Sequence, residues 1–429
     1  MSASPKKTKP ARKTPAKRKA ANGYKLPEPI PLGTVLTDMN KRSWKIGPSI
    51  GIGGFGEIYS ARDESSKSSE YPFVVKIEPH ENGPLFVEMH FYMKVAKPKD
   101  IAEWTKQKKL KCLGLPMYIG SGSHMYNNQK YRFLVMERYG KDLWSLFLEN
   151  NRTFPIATVL AIGLQIVDVL EYIHEKSYIH GDIKGSNILL SLKKGLEDQV
   201  YLVDFGLATR YSSTEYKLNP KRAHNGTIEY ESRDAHVGVP TRRGDLEVLG
   251  FNMIQWAASE LPWEKKISEP PEVIQKEKIK YMNDLSTLMK ACFKKGSPPQ
   301  PLVEYFAYIV KLAPDECPNY DLCRKIFKDG LKKCLGSLQN VKLEFSITSE
   351  QKPKKPVRNT KRSAKVVLSS PSSDEDSPKR IAISKRKNNR EARNVHDMSD
   401  EEMDFNSSDS EANNYVVSKP KSRSGKRNH

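Results

Sequence analysis

The chain has 429 residues, a formal net charge of +21 and a pI of about 9.5, a length that suits two lobes or domains plus tails. Its five cysteines, Cys112, Cys292, Cys317, Cys323 and Cys334, are loosely spaced with no C-x-x-C, so they indicate neither a disulfide framework nor a zinc site, and a reducing compartment fits. No apolar run approaches the roughly 18 residues a membrane helix needs, and the N-terminal lysines are not followed by the hydrophobic stretch of a secretory signal.

Residues 1–25 hold nine Lys/Arg and no acid, and residues 351–429 hold nineteen Lys/Arg against eleven acids, which leaves only +4 on residues 26–350. Both ends, 1–25 and 346–429, read as disordered basic tails with little to bury. Their charge predicts contact with DNA or chromatin, or else serves solubility and nuclear import through Lys17-Arg-Lys19 and Lys385-Arg-Lys387. The C-terminal tail is broken by acidic islands, Ser369–Pro378 and Ser407–Glu411, that suit phosphorylation.

Between the tails, residues 26–43 read as a lead-in. Trp44 to Ile50 reads as a strand running into a glycine turn, Glu57 to Ala61 as its return, and Tyr71 to Ile77 as a third strand. Leu85, Val87, Glu88, Phe91, Tyr92 and Val95 have helical spacing, and residues 96–112 predict an added helix. Arg132 to Met136 is another strand. From residue 155 helices dominate: Ile156, Val159, Leu160, Leu164, Val167, Leu170 and Ile173 form one wide apolar face, and Asp245 to Ala258 is apolar almost all round. The fold class is α+β, a small β-rich part followed by a larger helical part.

His180-Gly-Asp-Ile-Lys-Gly-Ser-Asn187 followed by Val203-Asp204-Phe205-Gly206 carries the chemistry. Moving a phosphoryl group from Mg-ATP to a hydroxyl needs a carboxylate for the proton, a cation for the transferring group, and oxygen ligands for the metal. Asp182 is the predicted base, Lys184 the γ-phosphate cation, and Asn187 and Asp204 the magnesium ligands, with manganese as an alternative ion. His180, inside apolar surroundings, reads as structural. The lysine two residues after the base favours Ser/Thr acceptors.

Gly51-Ile-Gly-Gly-Phe-Gly56 is a G-x-G-x-x-G set between strands, which suits a loop folded over ATP phosphates rather than a dinucleotide fold. The predicted ATP-binding residues are Ile50, Gly51, Gly53, Gly54, Phe55, Gly56 and Ile58, with Lys76 on the third strand. Lys76 needs an anionic partner if buried. Glu88 is the expected one, with Glu78 and Glu81 as rivals. Met136-Glu-Arg-Tyr-Gly140 forms the link (137–141) whose backbone at Glu137 and Tyr139 would hold adenine.

Residues 44–340 resemble a protein kinase, and within the casein kinase I group the vaccinia-related kinases. The resemblance is carried by Gly83-Pro-Leu-Phe86, Tyr178 to Lys184, Tyr201-Leu-Val-Asp204, Gly226-Thr-Ile-Glu-Tyr230, Asp234-Ala-His236, Arg242 to Glu247 and Leu261-Pro-Trp-Glu264. It implies a bilobal kinase fold, with an N-lobe over 44–136 and a C-lobe over 142–340. It also implies ATP-dependent Ser/Thr phosphorylation in the nucleus, acting on chromatin proteins such as histones or on barrier-to-autointegration factor, by a monomer. The rival readings are a catalytically silent scaffold of the same fold, and a chromatin binder whose catalysis is secondary. Two departures from the general kinase pattern stand out: Gly181 replaces the arginine of H-R-D, and Glu231-Ser-Arg-Asp234 replaces A-P-E. The first predicts activity without phosphorylation of the loop between Asp204 and Thr227. The second leaves the anchoring of that segment open.

Overall fold

The computed structural model describes residues 24–53, 56–212 and 216–346. The expectations for the two tails, apart from Tyr24, Lys25 and Ser346, and those for Gly54 and Phe55, therefore lie outside the described residues; Lys25, expected in the disordered arm, pairs instead with Glu81.

Six strands form one antiparallel sheet: β1 (Val35–Thr37), β2 (Ser43–Ile52), β3 (Glu57–Asp63), β4 (Phe73–Pro79), β5 (Gly120–Tyr126) and β6 (Gln129–Glu137), in the order β1-β2-β3-β4-β6-β5. Strand alternation divides the side chains between two faces. Tyr59, Ala61, Val75, Ile77, Tyr131, Phe133 and Val135 fill one core with Trp44 and Ile46. Val74, Leu134 and Met136 point to the opposite face and join the core of the larger part. Lys76 shares the parity of Val74. The same pattern that buries Val75 and Ile77 on one side thus turns the lysine toward the other.

Two helices follow the strand that carries Lys76: α1 (Pro84–Val95) and α2 (Pro98–Gln107). Pro84 sits in the first turn of α1, where its missing N–H costs nothing. No side chain caps that end from Gly83. Instead the Glu78 carboxylate accepts the Leu85 N–H at 2.9 Å. The added helix predicted for 96–112 is shorter than expected. It stops at Gln107, and Lys109 turns the chain at φ +53.

The larger part holds α3 (Leu143–Glu149), α4 (Ile156–Glu175), α5 (Arg242–Ala258), α6 (Pro271–Asn283), α7 (Leu285–Cys292), α8 (Gln300–Lys311) and α9 (Tyr320–Leu335). Two small antiparallel pairs shape its cleft side: β7 (Tyr178–Ile179) with β10 (Thr209–Arg210), and β8 (Ile188–Leu190) with β9 (Val200–Leu202). One expectation is corrected here. The helix α4, 20 residues long, is apolar enough to cross a membrane by composition. It is buried instead among α5, α9 and β9, which explains its apolarity.

Packing also runs past both expected ends of the 44–340 region. Ile30 and Leu36, in the supposed lead-in, are core residues, and β1 extends the sheet. At the other end Thr158 and Glu344 exchange hydrogen bonds, and Phe345 meets Phe154 edge-on at 5.1 Å.

Candidate active site

Strands β2 and β3 pair Gly51 with Ile58 and Ile52 with Glu57, and the turn closes with the Gly53 N–H on the Gly56 carbonyl at 2.8 Å. Gly56 must be glycine for a steric reason: a Cβ there would lie 2.2 Å from the Ile77 carbonyl oxygen. Ile50 is exposed and Ile58 half-buried, one at each side of the loop's base.

Below this loop, the Lys76 ammonium lies 2.6 Å from Glu88 Oε2 and 2.8 Å from Asp204 Oδ1. Burial opposes the lysine's charge, but Asp204 and Glu88 outweigh it and hold its pKa above the usual value. Burial likewise opposes ionisation of Asp204, and there the Lys76 ammonium wins, pulling that carboxyl below its usual range. Burial raises the pKa of Glu88, with Lys76 pulling against it. The rivals for the partnership stand elsewhere: Glu78 caps α1, and Glu81 pairs with Lys25.

The loop after β7 gathers four polar side chains. Lys184 Nζ donates to Asp182 Oδ2 at 2.6 Å and to the Thr227 hydroxyl at 2.8 Å. The Thr227 hydroxyl and N–H donate to Asp182 Oδ1 at 2.7 and 3.0 Å. One hydroxyl thus touches the carboxylate and the ammonium at once. Asn187 Nδ2 donates to the Asp182 carbonyl at 2.9 Å, which turns the amide away from solvent and fixes which end carries its oxygen. His180 is structural, as expected. Its Nδ1 accepts the Asp182 N–H at 3.1 Å, its Nε2 lies 3.1 Å from the Val203 carbonyl, and burial holds its pKa below the usual histidine value.

The β8–β9 pair brings Asn187 and Asp204 to one place. Ile188 faces Leu202, and the Val203 N–H reaches the Asn187 carbonyl at 2.9 Å. Asp204 takes a left-handed backbone, φ +66, which costs a non-glycine residue about 1–2 kcal/mol. The next residue, Phe205, is fully buried. It stacks on Phe91 of α1 at 3.9 Å and lies 4.6 Å from the His180 ring. That packing ties α1, and with it Glu88, to the Asp204 backbone. The oxygen set of Asn187 and Asp204, an amide and a carboxylate, fits a hard divalent cation such as Mg²⁺ or Mn²⁺.

In the link between the parts, the side chains of Glu137 and Tyr139 are engaged with neighbouring residues. Glu137 pairs with Lys193 at 2.9 Å, and Tyr139 stacks on Tyr201 at 4.3 Å.

Two residues that sequence reasoning did not assign complete the site. Thr227 sits in the Gly226–Tyr230 motif, but its bond to Asp182 spans 45 positions. Asp245, fully buried, accepts the backbone N–H groups of His180 and Gly181 at 2.8 and 3.0 Å and lies 3.0 Å from His174 Nε2. It holds the loop backbone from below. The only signal was its place in the Arg242–Glu247 motif.

The anchoring of the segment after Thr227, left open by the sequence, comes from α5, α6 and Trp263 in the stretch between them. Arg243 makes two bonds of 2.8 Å to Asp234, and Arg233 reaches Glu247 at 2.9–3.0 Å. Lys278 donates to the Ile228 and Glu231 carbonyls at 2.7 Å, and the Trp263 indole donates to the Glu229 carbonyl at 2.8 Å.

A two-part fold with a lysine–glutamate pair, a glycine loop and this acidic loop defines a protein kinase, and the protein kinase domain family matches residues 44–296. Nucleosomal histone kinase 1 of Drosophila melanogaster is 48% identical over 334 residues, which cover 77% of this chain and 55% of that protein. Serine/threonine-protein kinase VRK2 of Homo sapiens is 44% identical over 308 residues, covering 71% and 60%. The B1 kinase of Vaccinia virus (strain Western Reserve) is 40% identical over 306 residues, covering 70% and 98%. The solved structure of vaccinia related kinase 3 superposes with a TM-score of 0.63 at 30% identity, covering 72% of this chain and 92% of that one. The chain belongs to the vaccinia-related kinase family. It spans less than two thirds of the length of the first two relatives.

Proposed function

We propose that the chain is a Ser/Thr protein kinase that moves the γ-phosphoryl group of ATP to hydroxyls of nuclear, chromatin-associated proteins. The observation that carries the reading is the contact of Asp182 with both Lys184 and a threonine hydroxyl, beside the Lys76–Glu88–Asp204 cluster. Asp182 orients the acceptor hydroxyl and takes its proton as the new O–P bond forms and the bond to ADP breaks. Lys184 offsets charge on the transferring group. Lys76, kept charged by its two carboxylates, binds the α and β phosphates, and the loop that carries Gly51, Gly53 and Gly56 lies over them. Asn187 and Asp204 would hold Mg²⁺, which would neutralise phosphate charge when bound.

Histones are the leading substrate class, supported by the name of the Drosophila relative and by the basic tails. Barrier-to-autointegration factor is the second. The test is incubation of the purified chain with Mg-ATP and nucleosomes, with the modified sites mapped by mass spectrometry. Wild type is expected to label serine or threonine, and Asp182→Asn to turn over roughly 10²–10⁴-fold more slowly. Unlabelled nucleosomes with wild type would remove the chromatin reading. An unchanged rate in the variant would remove Asp182 as the base.

A further inference from the structure

Beside the segment that carries Thr227, three side chains converge that the phosphoryl-transfer site does not use: His224, Glu231 and His236. The two imidazoles face each other through Nδ1 at 3.0 Å. Glu231 Oε2 lies 3.2 Å from His236 Nδ1 and 3.8 Å from His224 Nδ1. We propose that His224, Glu231 and His236 form a binding site for a divalent transition-metal ion of tetrahedral preference, zinc by its chemistry, which braces the segment from 224 to 236.

Geometry is the first argument. Four ligands at about 2.0–2.1 Å around zinc are separated by roughly 3.3 Å along each edge of the tetrahedron. The separations of 3.0, 3.2 and 3.8 Å bracket that edge, so one ion can meet all three atoms with sub-ångström adjustment.

Burial is the second. The side chains of Glu231 and His236 are 1% and 0% exposed, while His224 is 18% exposed. The polar contacts of the His236 ring within the cluster are made through Nδ1. A carboxylate oxygen and two imidazole nitrogens turned toward one another are three lone-pair donors of the kind a zinc ion takes. The nearby ammonium, Lys278, donates to the main-chain carbonyls of Ile228 and Glu231. Its charge is set against the Glu231 carboxylate. The partial exposure of His224 leaves a side open for a water as fourth ligand.

Preorganisation is the third. His224 adopts φ +59, a left-handed backbone, and its N–H is tied to the Ala235 carbonyl at 3.2 Å. Asn219 N–H reaches the Val237 carbonyl at 3.1 Å, and Gly238 packs so closely that a Cβ there would lie 1.9 Å from the Asn219 carbonyl oxygen. The backbone therefore sets the two histidines side by side before any ion arrives. Outside the cluster, Glu272 Oε1 lies 3.9 Å from His224 Nε2 on an exposed side chain, close enough to swing in and orient the ring. The cysteines that suggested no zinc site take no part in this one.

Metal binding is read without phosphoryl transfer, so this proposal and the kinase reading fail separately. The untagged full chain is stripped with a chelator, equilibrated with Co²⁺ or Zn²⁺ and desalted, and bound metal is measured by plasma mass spectrometry. About one equivalent is expected, with the intense visible absorption of tetrahedral Co²⁺. His224→Gln, at the partly exposed position, and Glu231→Gln should each lose that absorption and that equivalent. Circular dichroism of each variant checks that it is folded, and His224→Gln decides alone if Glu231→Gln is not. Weak octahedral-type absorption in wild type, or a bound equivalent that survives His224→Gln, would overturn the proposal by placing the metal elsewhere.

Discussion

Single residues of this site differ in how far their placement could be read from the chain. Asp182, Lys184, Asn187 and Asp204 could be read as neighbours because they stand in one short loop and in the turn just after β9. Glu88 was harder: three glutamates follow Lys76 within twelve positions, and only packing of α1 selects one. The rejected rival, Glu78, has its own consequence. It is fully buried and accepts the Leu85 N–H, and burial lifts its pKa from 4.5 to about 8 against the pull of that N–H, Lys76 and Arg132. Below about pH 4.5 both folded and unfolded chains hold this proton, so the group adds no pH dependence. Between about 4.5 and 8 the unfolded chain releases a proton the folded chain keeps, and stability falls as pH rises. This one group contributes at most about 1.4 kcal/mol per pH unit. Glu78→Gln retains an acceptor for Leu85 and cannot ionise. Its stability relative to wild type should rise steadily from pH 5 to pH 8 in denaturant melts. A constant difference across that range would mean Glu78 is already charged in the folded chain.

Elements were legible where periodicity and length agreed. The strands holding the glycine loop and Lys76, the helix with Glu88, and α4 and α5 all stand near their predicted places. The three-residue β1 and the glycine- and serine-rich β5 carry too few apolar residues to be seen, and both exist because neighbouring strands supply partners. The segment from Tyr216 to Asp234 is the element whose behaviour most departs from expectation for a phosphorylation-controlled kinase. Gly181, where an arginine would clamp a phosphate, has φ +78 and gives its N–H to Asp245. The segment is held by groups already in the sequence instead. Asp234 accepts from Arg243, Thr241 and Tyr216, and Arg243 outweighs burial to hold the Asp234 pKa low. A bacterially expressed, phosphatase-treated chain should therefore phosphorylate its substrate as fast as an untreated one. Inertness until loop phosphorylation would show that these contacts are not sufficient.

At the scale of the whole molecule, most of the charge and the candidate site lie in different stretches of the chain. The described residues 24–346 contain the sheet, every helix named above and all the site residues except Gly54 and Phe55, while most of the +21 lies outside them. The useful cut is before Tyr24 rather than after Lys25, because Lys25 pairs with Glu81 and its carbonyl accepts from Asn82. Removing 1–23 and 347–429 takes away eight Lys/Arg from the first segment and nineteen from the second. If the tails meet nucleic acid, each phosphate they neutralise contributes a slope of about −0.9 to the dependence of log affinity on log salt, so six contacts give roughly −5. The truncated chain should keep its rate on a peptide or free histone and lose that salt-sensitive DNA binding. Loss of both together would mean the tails support the fold or the site. The same arithmetic makes the acidic islands a control point. Each phosphate adds about −1.5 to −2, so four or five would cancel the excess of nineteen basic over eleven acidic residues in 351–429. Aspartates at Ser372, Ser373 and Ser408 should accordingly weaken DNA binding while leaving free-histone phosphorylation unchanged. Equal DNA affinity for that variant and wild type, compared at one salt concentration, would place the nucleic-acid contact outside the C-terminal tail.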